Sequence, residues 1–485
     1  MRKRSLTVLC LFVIVLLLAA CGGGNNPDDS GVKNEPKPPE KTENTDPPKK
    51  EDPPAEAPPE KVTISVYYPT PDQPENRALE DDKIARFIGA YPNVEIVKSD
   101  WHYKTEEIGI KMAANEAPTM FNAWATEGRF LVERGWAADI TEFVNAWEFK
   151  DQMNPILQEQ FLFDGKVYGL AQNGYVVGTV VNKKMLEAAS VALPPYDWTW
   201  EDMYQTAAAI TDTKKGISGI APMGVGNEAG WNWTNFLFLA GGEVHTLADG
   251  KVTAAFNSDA GLKALEFYHK LRWEANAIPQ DWALNWGDAV GTFAQGRTAM
   301  VMAGANDPVD QALNQGDFVP EDILVYPMPA YQKGGEHAGV LGGNFLVVNP
   351  NASKAEQEMA FKYMVFDYFS DAGLNAIEKN IQERKAEGSY FVPPVAEYFQ
   401  MESEYGQRVK AIYDKYDNVY EFDVNVLKLL EGKPEAQFST QDFYGIMTNV
   451  IQAVFSKKDT DLKAALDEAA QQVQSEYYDQ IKVEN

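Results

Sequence analysis

The stretch "NEAGWNWTNF", residues 227–236, sets Trp231 and Trp233 two positions apart among Gly, Asn and Thr. Large rings in such company either stack on the flat apolar face of a ligand or close a core. The usual catalytic groups are sparser. Cys10 and Cys21 are the only cysteines, and Cys10 lies in the N-terminal apolar run, so a mature domain starting at Cys21 has no disulfide, thiolate metal site or cysteine nucleophile within its folded part. His102, His245, His269 and His337 are scattered without HExxH spacing and read as surface or satisfied core residues rather than ligands or bases. There is no GxxxxGK[ST] phosphate loop and no DxDxDG calcium loop, so neither a cofactor nor a metal is expected. The 71 acidic residues leave room for a glycosidase pair of carboxylates, about 5 to 9 Å apart, but no local motif marks one. A formal charge of −28 disfavours nucleic acid and anionic lipid heads and suits a neutral or cationic small ligand.

The chain opens "MRKRSLTVLCLFVIVLLLAACGGG", with Arg2, Lys3 and Arg4 ahead of an apolar run from Leu6 to Leu18. That is the pattern of a secretory signal, 1–20, and the run is short of the ~20 residues that span a bilayer. "LAAC" resembles the lipobox of bacterial lipoproteins, which implies cleavage before Cys21 and acylation there. Residues 21–61 form a Pro/Glu/Lys-rich segment with Val32 as its one large apolar residue before Val62. Such a segment cannot bury enough surface to fold, and in polyproline II form it reaches up to ~120 Å. The expected location is the outer face of a cell membrane, lipid-anchored, behind a thick wall of Gram-positive type.

The remaining chain, roughly 420 residues, is too long for one ordinary core, so at least two domains are expected. "KVTISVYYPT", "VEIVKSDW" and "PTMFNAW" read as strands, with a helix around "EEIGIKMAANE" between the last two. The alternation argues for βαβ units and a mainly parallel sheet. Thr199 with Asp202, and Ser353 with Glu356, have capping-box spacing at the starts of two helices. Ala360, Tyr363, Met364 and Tyr368, and later Leu462, Ala465, Leu466, Ala469, Val473 and Tyr477, form apolar helical stripes and read as core.

From residue 62 onward the order of motifs resembles the extracellular solute-binding proteins of ABC importers, in their carbohydrate-binding group. The resemblance is carried by "DGKVYGLAQNGYVVGTVVNKKML", "YDWTWEDM", "FLAGGEV", "TFAQGRTAMVMAG" and "LGGNFLVVNPNASKAEQEMAFKYMVF". Arg297 stands where the family pattern has Lys. The resemblance implies an α/β fold of two lobes with a ligand cleft between them, lobe one at 62–172 plus 340–385 and lobe two at 173–339 plus 386–485. It also implies a monomer that closes on a sugar or oligosaccharide and presents it to permease subunits, without catalysis. The alternatives are the same fold holding a cationic or peptide solute, or a lipid-anchored glycosidase.

A sugar site needs flat rings for the C–H faces and polar side chains for the hydroxyl rim. The ligand-binding candidates of lobe one are Trp124, Glu127 and Arg129, matched to the family, with Asn122 at the end of the same strand and Asn344 at the return crossing. Those of lobe two are Asn173, Tyr175, Trp231, Asn285, Trp286, Asn306 and Phe443. Tyr175 stands where the family has an acid and Asn306 where it has a ring, which implies different sugar chemistry. "NEAGWNWTNF" then reads as a cleft loop of lobe two, its backbone freed by Gly226 and Gly230. Trp233 is placed either in the cleft or against the lobe core.

Overall fold

The computed structural model describes residues 60–71 and 73–483. Cys21, the signal and nearly all of the proline-rich segment lie outside them. Strands form where alternation indicated: β1 (Val62–Tyr67), β2 (Val94–Ser99) and β3 (Met120–Trp124), with a helix at Thr105–Ala114. β1 and β2 pair in parallel, Val62 opposite Val94 through Tyr67 opposite Ser99. A minimal hairpin follows, β4 (Leu162–Phe163) with β5 (Lys166–Val167), and then the long β6 (Leu170–Asn182). Further on come β7 (Ser218–Ala221), the hairpin β8 (His245–Ala248) and β9 (Lys251–Ala254), β10 (Thr298–Gly304), β11 (Ile323–Tyr326), β12 (Gly339–Val348) and the short β13 (Gly432–Pro434).

β6 organises the molecule. It pairs antiparallel with β12 from Leu170 to Val176, and with β10 and β11 along Val177 to Asn182. β12 also carries β3 and β13, and β7 adds in parallel to β10. The sheet is therefore mixed rather than mainly parallel. The reason is geometric: a strand that returns to the first lobe runs opposite to the strand that left it.

Two separate hydrophobic cores define the lobes. One gathers Ile64, Phe87, Phe121, Leu170, Phe345 and Tyr363; the other gathers Val180, Trp198, Trp233, Phe293, Met300 and Ile451. β6 passes from the first to the second between Val176 and Val177, and β12 passes back between Val340 and Leu341. The segment beyond 386, expected in the second lobe, behaves differently. Ala396, Phe399, Tyr405, Val409 and Ile412 are buried in the first core; Tyr390, Val392 and Val395 lean partly on the second, and the chain is buried in the second from Tyr420 onward. A backbone bridge from Gly174 to Ala396 fastens this segment along β6.

The two capping boxes form, Thr199 with Asp202 and Ser353 with Glu356. The "NEAGWNWTNF" stretch, expected as a loop, is instead part of a helix, Gly226–Leu239. Gly226 does need a left-handed backbone, with φ +65°. Gly230 serves close approach instead, since a Cβ there would stand 2.3 Å from the Tyr444 carbonyl oxygen and 2.7 Å from its Cα. It lets this helix cross Thr440–Ser456 at backbone contact, where Thr448 Oγ1 also accepts from the Gly230 N–H at 3.2 Å. Gly230→Ala is expected to lower unfolding free energy by about 2–3 kcal/mol, read from the urea midpoint.

Candidate functional site

A cleft of about 1520 Å³ opens between the two cores. One wall comes from the first lobe, with Thr105, Trp124, Thr126, Phe130 and Arg134; the facing wall carries Tyr175, Asn227, Trp231, Trp286, Asp307 and Glu435. β3 ends at the cleft, so its last residue, Trp124, is 43% exposed although Met120, Phe121 and Ala123 of the same strand are buried. On the opposite wall Trp231 is 8% exposed and meets Tyr175 edge to face, with ring centroids 6.0 Å apart at 79°. The indole nitrogen of Trp231 is buried with no hydrogen-bond partner among the described residues.

Of the residues matched from the sequence, Trp124, Tyr175, Trp231, Trp286 and Asn344 line this cleft. Asn173 does so indirectly, accepting from Asn344 Nδ2 at 3.0 Å across β6 and β12. Asn122 sits two residues before Trp124 on the same face of β3, with its Oδ1 buried and unpaired among the described residues. The others are occupied elsewhere. Glu127 is 2% exposed and accepts from the hydroxyls of Tyr103 and Thr105; its burial raises its pKa. Arg129 lies over the rings of Phe163 and Phe438, at 5.1 and 4.7 Å. Asn285 caps the helix Trp286–Ala294 in a box with Asp288. Asn306 begins the next helix and donates to Asp307 Oδ1 at 2.8 Å.

Trp233 and Phe443 are core residues, both fully buried, and do not face the cleft. Trp233 is displaced by helix geometry: residues two apart on an α-helix point about 200° apart, so once Trp231 faces the cleft, Trp233 turns inward. Phe443 packs on Phe256 with centroids 4.9 Å apart.

Two acidic residues in the cleft carry no signal in the sequence. Asp307 follows the candidate Asn306 by one position, and Glu435 lies in "EGKPEAQF", which has no distinguishing pattern. Glu435 accepts from the Tyr444 hydroxyl through Oε1 at 2.7 Å. Burial, with a further push from Glu127, raises its pKa to about 7. Burial and the neighbouring Asp310 raise Asp307 to about 6. A folded state that holds a proton the unfolded chain has lost is less stable as pH rises. Glu435 therefore removes stability between about 4.5 and 7, on the order of 3 kcal/mol. Glu435→Gln, which keeps an acceptor for Tyr444, is expected to flatten that part of the slope when urea midpoints are compared with wild type across this range.

The lobes also touch beside the cleft. Gln441 donates through Nε2 to Thr126 Oγ1 at 3.0 Å and accepts from Asn227 Nδ2 at 2.9 Å, joining a first-lobe turn to two second-lobe helices.

The family model of bacterial extracellular solute-binding proteins matches residues 70–372, more than half of the chain. The chain belongs to this family. Solved structures agree with the fold of this solute-binding protein. A Thermotoga lettingae ABC transporter solute-binding protein bound with α-D-tagatose is 21% identical over 85% of this chain and 99% of its own, with a TM-score of 0.62. A maltose-bound protein from T. maritima is 18% identical over 85% and 99%, at 0.65. A Mycobacterium tuberculosis protein in complex with glycerophosphocholine is 12% identical over 85% and 98%, at 0.64. No curated protein matches. Among the described residues, no helix is long and apolar enough to cross a membrane.

Proposed function

We propose that this solute-binding protein captures a sugar or oligosaccharide between its lobes and presents it to the permease subunits of an ABC importer. The observation that carries the reading is the pairing of opposed aromatic walls, Trp124 on one lobe and Trp231 on the other, with Tyr175 of the crossing strand β6 braced against Trp231, across a cleft with a polar rim. Flat rings match the C–H faces of a pyranose, and Asn227, Asn344 and Gln441 offer amide donors and acceptors to hydroxyls. Contact with both lobes favours the closed form, which is the state a permease distinguishes. We take lobe one as 62–176 plus 341–419 and lobe two as 177–340 plus 420–483. Acylation at Cys21 would hold the monomer at the outer membrane face, and the Pro-rich segment would set its reach. The protein binds without turnover in this reading.

Calorimetric titration with a panel of neutral mono- and oligosaccharides, paired with small-angle scattering at saturation, tests the proposal. Micromolar or tighter binding with a fall in radius of gyration is expected. No binding by any saccharide would overturn it, and release of new reducing ends would overturn the reading without turnover.

A further inference from the structure

The turn and short helix that follow β3 and the segment that leads into the Thr440–Ser456 helix belong to different cores. Leu131 is buried in the first, Phe438 and Phe443 in the second. Two separate side-chain contacts nevertheless join them. The Arg129 guanidinium lies between two rings, Phe163 of its own lobe at 5.1 Å and Phe438 of the other at 4.7 Å. Close by, Gln441 Nε2 donates to Thr126 Oγ1 at 3.0 Å, while its Oε1 accepts from Asn227 Nδ2 at 2.9 Å.

Arg129 has little else to hold it. Its ion pair with Glu133 is long at 3.5 Å, and its Nε is buried with no partner among the described residues. Phe438 is 4% exposed, and the His245 ring meets it edge to face with centroids 5.1 Å apart. Burial holds His245 down to about 4, so near neutral pH it adds no second charge beside Arg129. Thr126, Phe438, Gln441 and Asn227 line the cleft, whereas Arg129 stands behind the wall. Contacts between facing walls exist only where the walls approach, so a rotation about the crossing strands that opens the cleft must break them. The ring sandwich and the amide pair therefore stabilise the closed form alone. A cation–π contact and a neutral hydrogen bond are each worth roughly a threefold to tenfold change in an equilibrium constant.

We infer that Arg129, through Phe438, and Thr126, through Gln441, are positioning residues: they clasp the lobes beside the cleft and set ligand affinity by setting the fraction of molecules that is closed. Arg129, expected from the family pattern to touch the ligand, acts on it from outside the cleft. The inference rests on the reading of the cleft as a hinged saccharide site and adds what holds that site together. Apparent affinity scales with the fraction of binding-competent molecules, so a broken clasp weakens every ligand by one factor, whatever its structure.

The test is calorimetric titration of full-length Arg129→Gln, Arg129→Lys and Thr126→Val beside wild type, with glucose, maltose, maltotriose and cellobiose as probes and circular dichroism to verify folding. Arg129→Gln and Thr126→Val should each weaken every saccharide that binds by a common factor of about three to ten. Arg129→Lys, which keeps a cation for the two rings, should lose less than Arg129→Gln. Unchanged or tighter binding at either position, or factors that differ severalfold between saccharides, would overturn the clasp and leave the sugar reading standing. If no saccharide binds wild type, the sugar reading falls, and small-angle scattering from the ligand-free Arg129→Gln/Thr126→Val double variant decides the clasp: a larger radius of gyration than wild type supports it, and an equal one overturns it.

Discussion

Trp231→Ala is expected to weaken binding of the natural ligand about 30- to 150-fold, or about 2–3 kcal/mol. The ring is at the centre of one cleft wall, nearly dry, and braced against Tyr175. A central, desolvated aromatic is where binding energy concentrates. Trp124→Ala, at a more exposed ring on the facing wall, should cost less, about tenfold, near 1.4 kcal/mol. Because Trp231 also touches the second core, Trp231→Phe serves as a control: it keeps an aromatic face and much of the packing while removing the indole N–H. It should recover more than half of the lost binding energy in titration calorimetry at a temperature well below unfolding.

The second large effect falls on stability and not on binding. Trp233→Ala should lower unfolding free energy by about 3–5 kcal/mol, the range for deleting a large buried aromatic. Trp233 is fully buried in the second core, two positions from a residue whose loss should act mainly on affinity. Molecules that remain folded should keep near wild-type affinity. Guanidinium unfolding read by far-ultraviolet circular dichroism, with affinity measured on the same preparations, separates the two tryptophans. Comparable affinity losses at both positions would mean that the helix does not divide its faces as the structure places them.

That division shows what the sequence can and cannot reveal. Short-range patterns are legible: alternating strands, capping boxes at Thr199 and Ser353, and buried stripes such as Ala360, Tyr363 and Met364 all form. The order of motifs points to two lobes because the crossing strands β6 and β12 are continuous in sequence and long. The Gly226–Leu239 helix is disguised because its glycines look like loop punctuation; Gly230 serves the crossing with Tyr444, a contact 214 positions away in the chain. Glu435 and Asp307 are hidden for a related reason. A carboxyl group becomes distinctive only when the fold buries it and denies it a cation, and neither condition is written in neighbouring residues. The late crossing near Tyr420 is obscured because 386–419 joins the first core through scattered aromatics, Phe399 and Tyr405 among them, without a periodic stripe.

The central claim is that a saccharide is held between the two aromatic walls. Its most direct test is calorimetric titration of the Trp124→Ala/Trp231→Ala double variant beside wild type, with the tightest-binding saccharide and circular dichroism to verify folding. The two rings lie on opposite lobes, so the account predicts that the heat of binding disappears at concentrations that saturate wild type. Wild-type affinity in the folded double variant would contradict it and place the ligand elsewhere on the molecule.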